Sequence, residues 1–325
     1  VIAAELRARG PYSLRLSARG ASDATRAVRD GVYVATVAVE GRLEQVRAWQ
    51  RPDGAICVRA ASEAGVEHVR FALGLDDDHS PFLRRFADDP LLREPIRRLR
   101  GLRPLRTATV AHALLRAVAG QLVEARRARA VERAILRAAT PALDGLHAAP
   151  TCADLGRFSP AELRAFGLGA RRGAALVRLC RSLELETLKR QPTALAAARL
   201  EREPGLGPWS VGVVCLQGLG RYERGLARDL GLVELASALA GRRVEAEATD
   251  ALLAPYEEWA GLASVYLLAG HRAGLVAAPR AGAVRTPLRT ARLERSSDGG
   301  RLQFGDAHRD PRRRQDRRVA ARRAT

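Results

Sequence analysis

The chain reads as a small α+β domain over residues 1–78, an all-helical domain over 79–275, and a basic, disordered tail over 276–325. Three observations predict this division. Apolar and polar residues alternate in short stretches before residue 60, and from about Leu75 the apolar spacing becomes three and four. The last 50 residues carry 14 arginines against five acids and follow no period.

Alternation marks residues 11–20, 32–39 and 55–60 as half-buried strands, with Gly41 and Pro52-Asp53-Gly54 as turns. Ser22-Asp23-Ala24-Thr25-Arg26 has the composition of a capped helix start, and residues 63–73 predict a second helix. Nothing catalytic is patterned there, so this part is expected to be a platform. Asp76-Asp77-Asp78-His79-Ser80-Pro81 reads as a linker, since consecutive aspartates do not converge on a metal ion without a loop built for it. Helices are expected over 81–86, 91–99, 109–137, 159–166 and 171–184. In the long one, Val110, Leu114, Leu115, Val118, Leu122 and Val123 form a core-facing stripe. The tail cannot bury enough apolar surface to order itself. It either adds salt-sensitive affinity for nucleic acid or is a dispensable extension.

Lys and Arg total 55 against 36 acids, a formal charge of +19 with a pI near 11.3. Such a balance favours a polyanionic partner, nucleic acid being the simplest, and no segment has the apolar run that spans a bilayer. Lys189 is the one lysine, a bias that reflects GC-rich coding more than function. Cys57, Cys152, Cys180 and Cys215 form no CxxC or Cys/His cluster, so no metal centre is expected. Unpaired thiols and the lack of a visible leader predict a cytoplasmic protein working at the nucleoid.

The most informative stretch is 193–233. An Ala-rich helix (194–203), the turn Pro204-Gly205-Leu206-Gly207-Pro208 and an apolar helix (209–219) are followed by Arg228-Asp229-Leu230 and a helix over 230–239. Two glycines around one apolar residue permit a positive-φ turn, and proline suits the first turn of a helix. The hairpin can then aim backbone N–H groups at one phosphate. On its own it is equally an ordinary helix–helix turn. A single carboxylate about 20 residues beyond it favours the functional reading.

This hairpin with its following aspartate resembles the helix-hairpin-helix DNA glycosylase superfamily. Val118-Ala119-Gly120-Gln121-Leu122-Val123 resembles the Gln-bearing helix of the 3-methyladenine DNA glycosylase II (alkylpurine) type. Residues 154–182 match that type's helix pair before the hairpin, 256–269 its closing helix, and Pro11-Tyr12-Ser13-Leu14 its opening β domain. The likeness covers residues 10–275 and is strongest over 105–235. It implies that Asp229 is the catalytic carboxylate, and that Gly205, Leu206 and Gly207 grip the DNA backbone, with a monovalent cation at the hairpin as the one added component. Gln121 is then placed near the DNA, or else buried and satisfied by backbone groups, with Arg171 and Arg172 as weaker backbone contacts.

A glycosylase must stabilise an oxocarbenium-like transition state, for which one nearby anion suffices. Asp229 also stands where it would cap the next helix, and the two roles are compatible. Relatives that cut the strand carry a lysine two residues after the second hairpin glycine; here it is Trp209, as in the alkylpurine type, where that residue faces the base pocket. No lyase step is therefore implied. Trp209 and Tyr222 are the candidates to stack on a cationic alkylpurine, and Trp259 and Tyr266 read as core. Ala119 stands where the type has a bulky wedge, Ala260 follows Trp259 where arginine is frequent, and no aromatic lies near Leu268. These departures leave the lesion range open. The expected activity is monofunctional excision of alkylated purines from double-stranded DNA by a monomer. The rivals are a silent DNA-binding module and a glycosylase for deaminated or oxidised bases.

Overall fold

The computed structural model of the chain describes residues 1–121 and 124–276. The expected basic tail, apart from Val276, and Leu122 and Val123 of the predicted core stripe lie outside the described residues. Near the N-terminus Ile2–Leu6 (β1), Arg26–Arg29 (β2), Val32–Val39 (β3), Arg42–Gln50 (β4) and Ile56–Ala60 (β5) form an antiparallel sheet in the order β1-β5-β4-β3-β2. Two-residue turns with positive φ at both central positions, Asp30-Gly31 and Glu40-Gly41, join β2 to β3 and β3 to β4. Such turns match the twist of the flanking strands and fix their register.

Two expectations for this region need correction, and one strand was not foreseen. Residues 11–20 do not make a strand: Leu14–Ser17 form a helical turn (α1) capped by Ser13, and the Leu14 N–H donates to the Gln50 side chain instead of a ladder partner. Residues 22–26 do not start a helix. Asp23 Oδ1 accepts from the Thr25 and Arg26 backbone N–H groups at 2.7 and 3.1 Å, a turn that leads into β2. The same Asx chemistry serves either outcome. Strand β4 escaped notice because Glu44 interrupts its inward set of Val46 and Ala48; its carboxylate is buried and accepts from Ser62 Oγ at 2.9 Å.

Glu63–Ala72 (α2), capped by Ser62, lays Val66 and Val69 on the sheet, and with Val46, Ile56 and Val58 they build one apolar cluster. A second cluster, drawn mainly from residues 82–276, fills the helical part. Asp77, read as linker, instead lies at the joint between them and accepts from Arg106 and from the Tyr222 hydroxyl. The described residues form one compact unit.

The helical part runs through Ser80–Arg85 (α3), Arg93–Arg98 (α4), Val110–Gly120 (α5), Ala125–Ala139 (α6), Cys152–Gly156 (α7), Pro160–Ala165 (α8) and Ala170–Ser182 (α9). The helix expected over 109–137 is thus two, and α5 stops at Gln121, where ψ turns to 120°. A two-strand ribbon, Ala142–Leu143 with Leu146–His147, follows α6. Thr193–Glu201 (α10) and Pro208–Val213 (α11) are the hairpin helices, and α11 continues through a π-helical turn, Val214–Leu219. Leu230–Ala240 (α12), Ala248–Leu253 (α13) and Ala260–Arg272 (α14) close the domain. Among the described residues no helix is long and apolar enough to cross a membrane.

Candidate active site

The hairpin between α10 and α11 uses its two glycines differently. Gly205 has φ +95°, a conformation that a side chain strains. Gly207 has φ −91° and ψ 176°, and a Cβ there would meet nothing within 4 Å. The fold therefore requires glycine at 205 but not at 207. Leu206 between them is buried in the helical core, so it anchors the turn. Pro208 has no N–H, and no side chain caps the start of α11.

Gln121, at the C-terminal end of α5, ties this turn down. Its Nε2 donates to the Gly205 carbonyl at 2.7 Å and to Ser210 Oγ at 2.9 Å, while Arg172 donates to the Gln121 carbonyl at 2.8 Å. Gln121 is half-buried: its amide is satisfied within the protein, and its side of the turn borders the cavity described below. Gly120 beside it makes room for the indole of Trp209, since a Cβ at 120 would lie 2.6 Å from the ring. Trp209 Nε1 in turn donates to Asp229 Oδ2 at 2.9 Å.

Asp229 is the N-cap of α12, its Oδ1 accepting from the Gly231 N–H at 2.9 Å. Arg228 just before it holds φ +68°, an uncommon conformation for a residue with a side chain. Its N–H donates to the buried hydroxyl of Thr249 at 2.7 Å, which over-determines the bend and aims the carboxylate. Trp209 and Asp229 border a cavity of about 620 Å³, walled by the hairpin, the α5–α6 junction, the start of α12 and residues 20–23.

The cavity also reaches residues that sequence reasoning missed. Arg116 on α5 donates through Nε to Glu132 Oε1 at 2.9 Å, through Nη1 to Gln217 Oε1 at 2.9 Å, and through Nη2 to Asp23 Oδ2 at 2.7 Å. His112 Nε2 lies 2.8 Å from the same Glu132 oxygen, and Arg26 pairs with Asp23 at 3.2 Å. Burial pushes the Glu132 carboxyl up, but Arg116 and the His112 hydrogen bond overcome this and hold it at about 2. Asp23, opposed by burial and favoured by Arg26 and Arg116, likewise stays well below the usual carboxylate range. Asp23, His112 and Glu132 each bring a potential ligand atom within 4.8 Å of the others. A guanidinium already bridges both carboxylates, so the donor set is charge-balanced and does not fit a metal ion. The available signal was a polar residue on an otherwise apolar helix face: Arg116 beside Leu115, and Glu132 among Val131, Ile135 and Leu136.

Two expected site residues lie elsewhere. Tyr222 does not border the cavity; its hydroxyl is spent on Asp77 and Arg106, and its ring stacks 6.4 Å from Trp259. Ala119 is buried on the core face of α5, so the place expected for a wedge is turned inward. Tyr266 is core, its hydroxyl on the Leu99 and Leu102 carbonyls. Arg171 is exposed. Lys189 pairs with Glu186 at 2.7 Å and donates to the Ala108 carbonyl, away from the cavity lining.

Among models of known protein families, none matches the chain. A probable bifunctional transcriptional activator/DNA repair enzyme AlkA of Mycobacterium tuberculosis is 27% identical over 250 residues, 74% of this chain and 50% of that protein. The chain thus spans about half the length of that relative. A DNA-3-methyladenine glycosylase of Bacillus subtilis is 23% identical over 62% of this chain and 70% of its own length. The 3-methyladenine DNA glycosylase structure from Archaeoglobus fulgidus superposes with a TM-score of 0.73 at 22% identity, covering 83% of this chain and 98% of that one. The Clostridium acetobutylicum 8-oxoguanine glycosylase/lyase with double-stranded DNA gives 0.68 at 17% identity, covering 85% and 99%. The chain thus shares the fold of these glycosylase structures, and in sequence it resembles DNA-3-methyladenine glycosylases.

Proposed function

We propose that the chain is a monofunctional DNA glycosylase that releases alkylated purines from double-stranded DNA in base excision repair, with Asp229 as its catalytic carboxylate. The observation that carries this reading is the Trp209–Asp229 hydrogen bond at the cavity wall, next to the hairpin. A purine flipped out of the duplex would stack on the indole with its sugar toward the carboxylate. As the glycosidic bond lengthens, positive charge develops on the sugar, and the fixed anion of Asp229 stabilises it and orients the attacking water. Alkylation at N3 or N7 already makes the base a good leaving group, so no strong general acid is needed.

The backbone of Gly205, Leu206 and Gly207 would hold a phosphate beside the extruded nucleotide. Gly207 supports this: the protein itself has no need of a glycine there, whereas a polyanion resting on the turn would. The hairpin carbonyls would hold a monovalent cation, which would add positive charge for that phosphate; the Gly205 oxygen also accepts from Gln121. Trp209 at the lyase position, and the absence of Lys189 from the cavity lining, favour hydrolysis without strand cleavage. The acting form is a monomer.

The test is incubation with duplexes carrying 7-methylguanine, 3-methyladenine, hypoxanthine or 8-oxoguanine, scored for free base and for alkali-labile sites. Release that Asp229→Asn abolishes supports the proposal. Duplex binding with no release by the wild-type protein would identify a silent DNA-binding module, and borohydride trapping of a protein–DNA adduct would overturn the monofunctional assignment.

A further inference from the structure

The polar end of the cavity has no part in the mechanism above, yet it is built with more constraint than the rest of the wall. Arg116 spends three donors on Glu132, Gln217 and Asp23, so it positions these groups and has little left with which to bind anything itself. Its bond to Gln217 settles which way that amide points: the guanidinium only donates, so the amide oxygen must face it. The NH₂ group is then the free end of a side chain that borders the cavity, and it donates no hydrogen bond among the described residues. Glu132 is complementary. One oxygen accepts from Arg116 and lies against His112, while Oε2 takes no hydrogen bond among the described residues. A carboxylate offers acceptors only.

We infer that Gln217 and Glu132 read the Watson–Crick edge of the extruded base and select 6-oxopurines, such as 7-methylguanine and hypoxanthine, over 6-aminopurines such as 3-methyladenine. This rests on the glycosylase reading. A 6-oxopurine presents O6, an acceptor, beside N1–H, a donor, which pairs with the Gln217 amide N–H and the Glu132 carboxylate. A 6-aminopurine reverses the pattern and sets N–H against N–H and a lone pair against the carboxylate. Sites that hydrogen-bond a substrate edge reject an analogue that leaves those groups unpaired. Trp209 is the one aromatic ring bordering the cavity among the described residues, and stacking on it is open to either class. Discrimination therefore falls to the polar end.

The experiment compares release of 7-methylguanine, hypoxanthine and 3-methyladenine by wild type and by Gln217→Glu, which keeps an oxygen for Arg116 and replaces the donor with an acceptor. Expressed as variant over wild type for each lesion, release of the two 6-oxopurines should fall about tenfold or more relative to 3-methyladenine. An equal fall for all three in a variant with the wild-type circular dichroism spectrum overturns the inference. Titration calorimetry of the wild-type protein with the free bases is a second arm independent of catalysis. Tighter binding of 7-methylguanine and hypoxanthine than of 3-methyladenine supports edge reading, and equal or reversed affinities refute it. Failure to release any base from duplex overturns the glycosylase reading itself, and the calorimetry still decides what the pocket reads.

Discussion

The two ends of the cavity are assembled in opposite ways. The Trp209–Asp229 end comes from one stretch of about 20 residues, in which a hairpin, a short helix and a cap bring two side chains together by local geometry. The far end gathers Asp23 from the N-terminal part, Arg116 from α5, Glu132 from α6 and Gln217 from the π turn after α11, and it exists only once the whole unit has folded. Chemistry encoded locally can be carried as a motif. Selectivity built from distant residues can change while that motif stays intact.

The comparison can be broken first at Arg116. Arg116→Ala would leave two buried carboxylates with less countercharge, and the expected loss is about 3–5 kcal/mol in denaturant unfolding. A loss near zero would mean that water already screens the cluster. Asp229→Asn should instead leave folding nearly unchanged and lower single-turnover base release about 10²–10³-fold, with duplex affinity preserved in fluorescence anisotropy. Gly120→Ala drives a methyl group into the indole of Trp209 and should cost about 1–3 kcal/mol, together with activity. Gly207→Ala is the mildest: stability within about 0.5 kcal/mol of wild type, but weaker duplex binding.

Acid separates the ends as well. Asp23 and Glu132 are both held below their ordinary carboxylate range in the folded protein. Their contribution to stability is fully present above the unfolded value of about 4.5 and is lost as the pH falls toward 2. Between about pH 5 and 2, unfolding stability should therefore fall more steeply for the wild type than for an Arg116→Met variant, in which the carboxylates have lost that stabilisation.

The same contrast explains how much was legible in the sequence. Gly205, Gly207, Trp209 and Asp229 lie within 25 residues of one another, and each residue type is demanded by backbone geometry or by chemistry, so the hairpin and its acid could be placed from spacing. Tyr222 was misplaced because an aromatic near a motif carries no information about which way its ring faces; a buried Asp77 and Arg106 took its hydroxyl. Arg116, Glu132 and Gln217 sit on helices whose periodicity records burial but not partners. In the N-terminal part, β4 was hidden by the buried Glu44, and residues 11–20 alternated yet formed a capped turn, since β1 already occupies the edge beside β5.

The hydrogen bond from the Trp209 indole to Asp229 has a practical corollary. An asparagine at 229 still offers an oxygen to the ring nitrogen, so the indole stays moored while the negative charge disappears. An alanine there removes charge and mooring together and frees the ring to swing. Asn and Ala replacements at 229 are therefore different experiments, and the gap between their rates measures what holding one aromatic plate still is worth to the reaction.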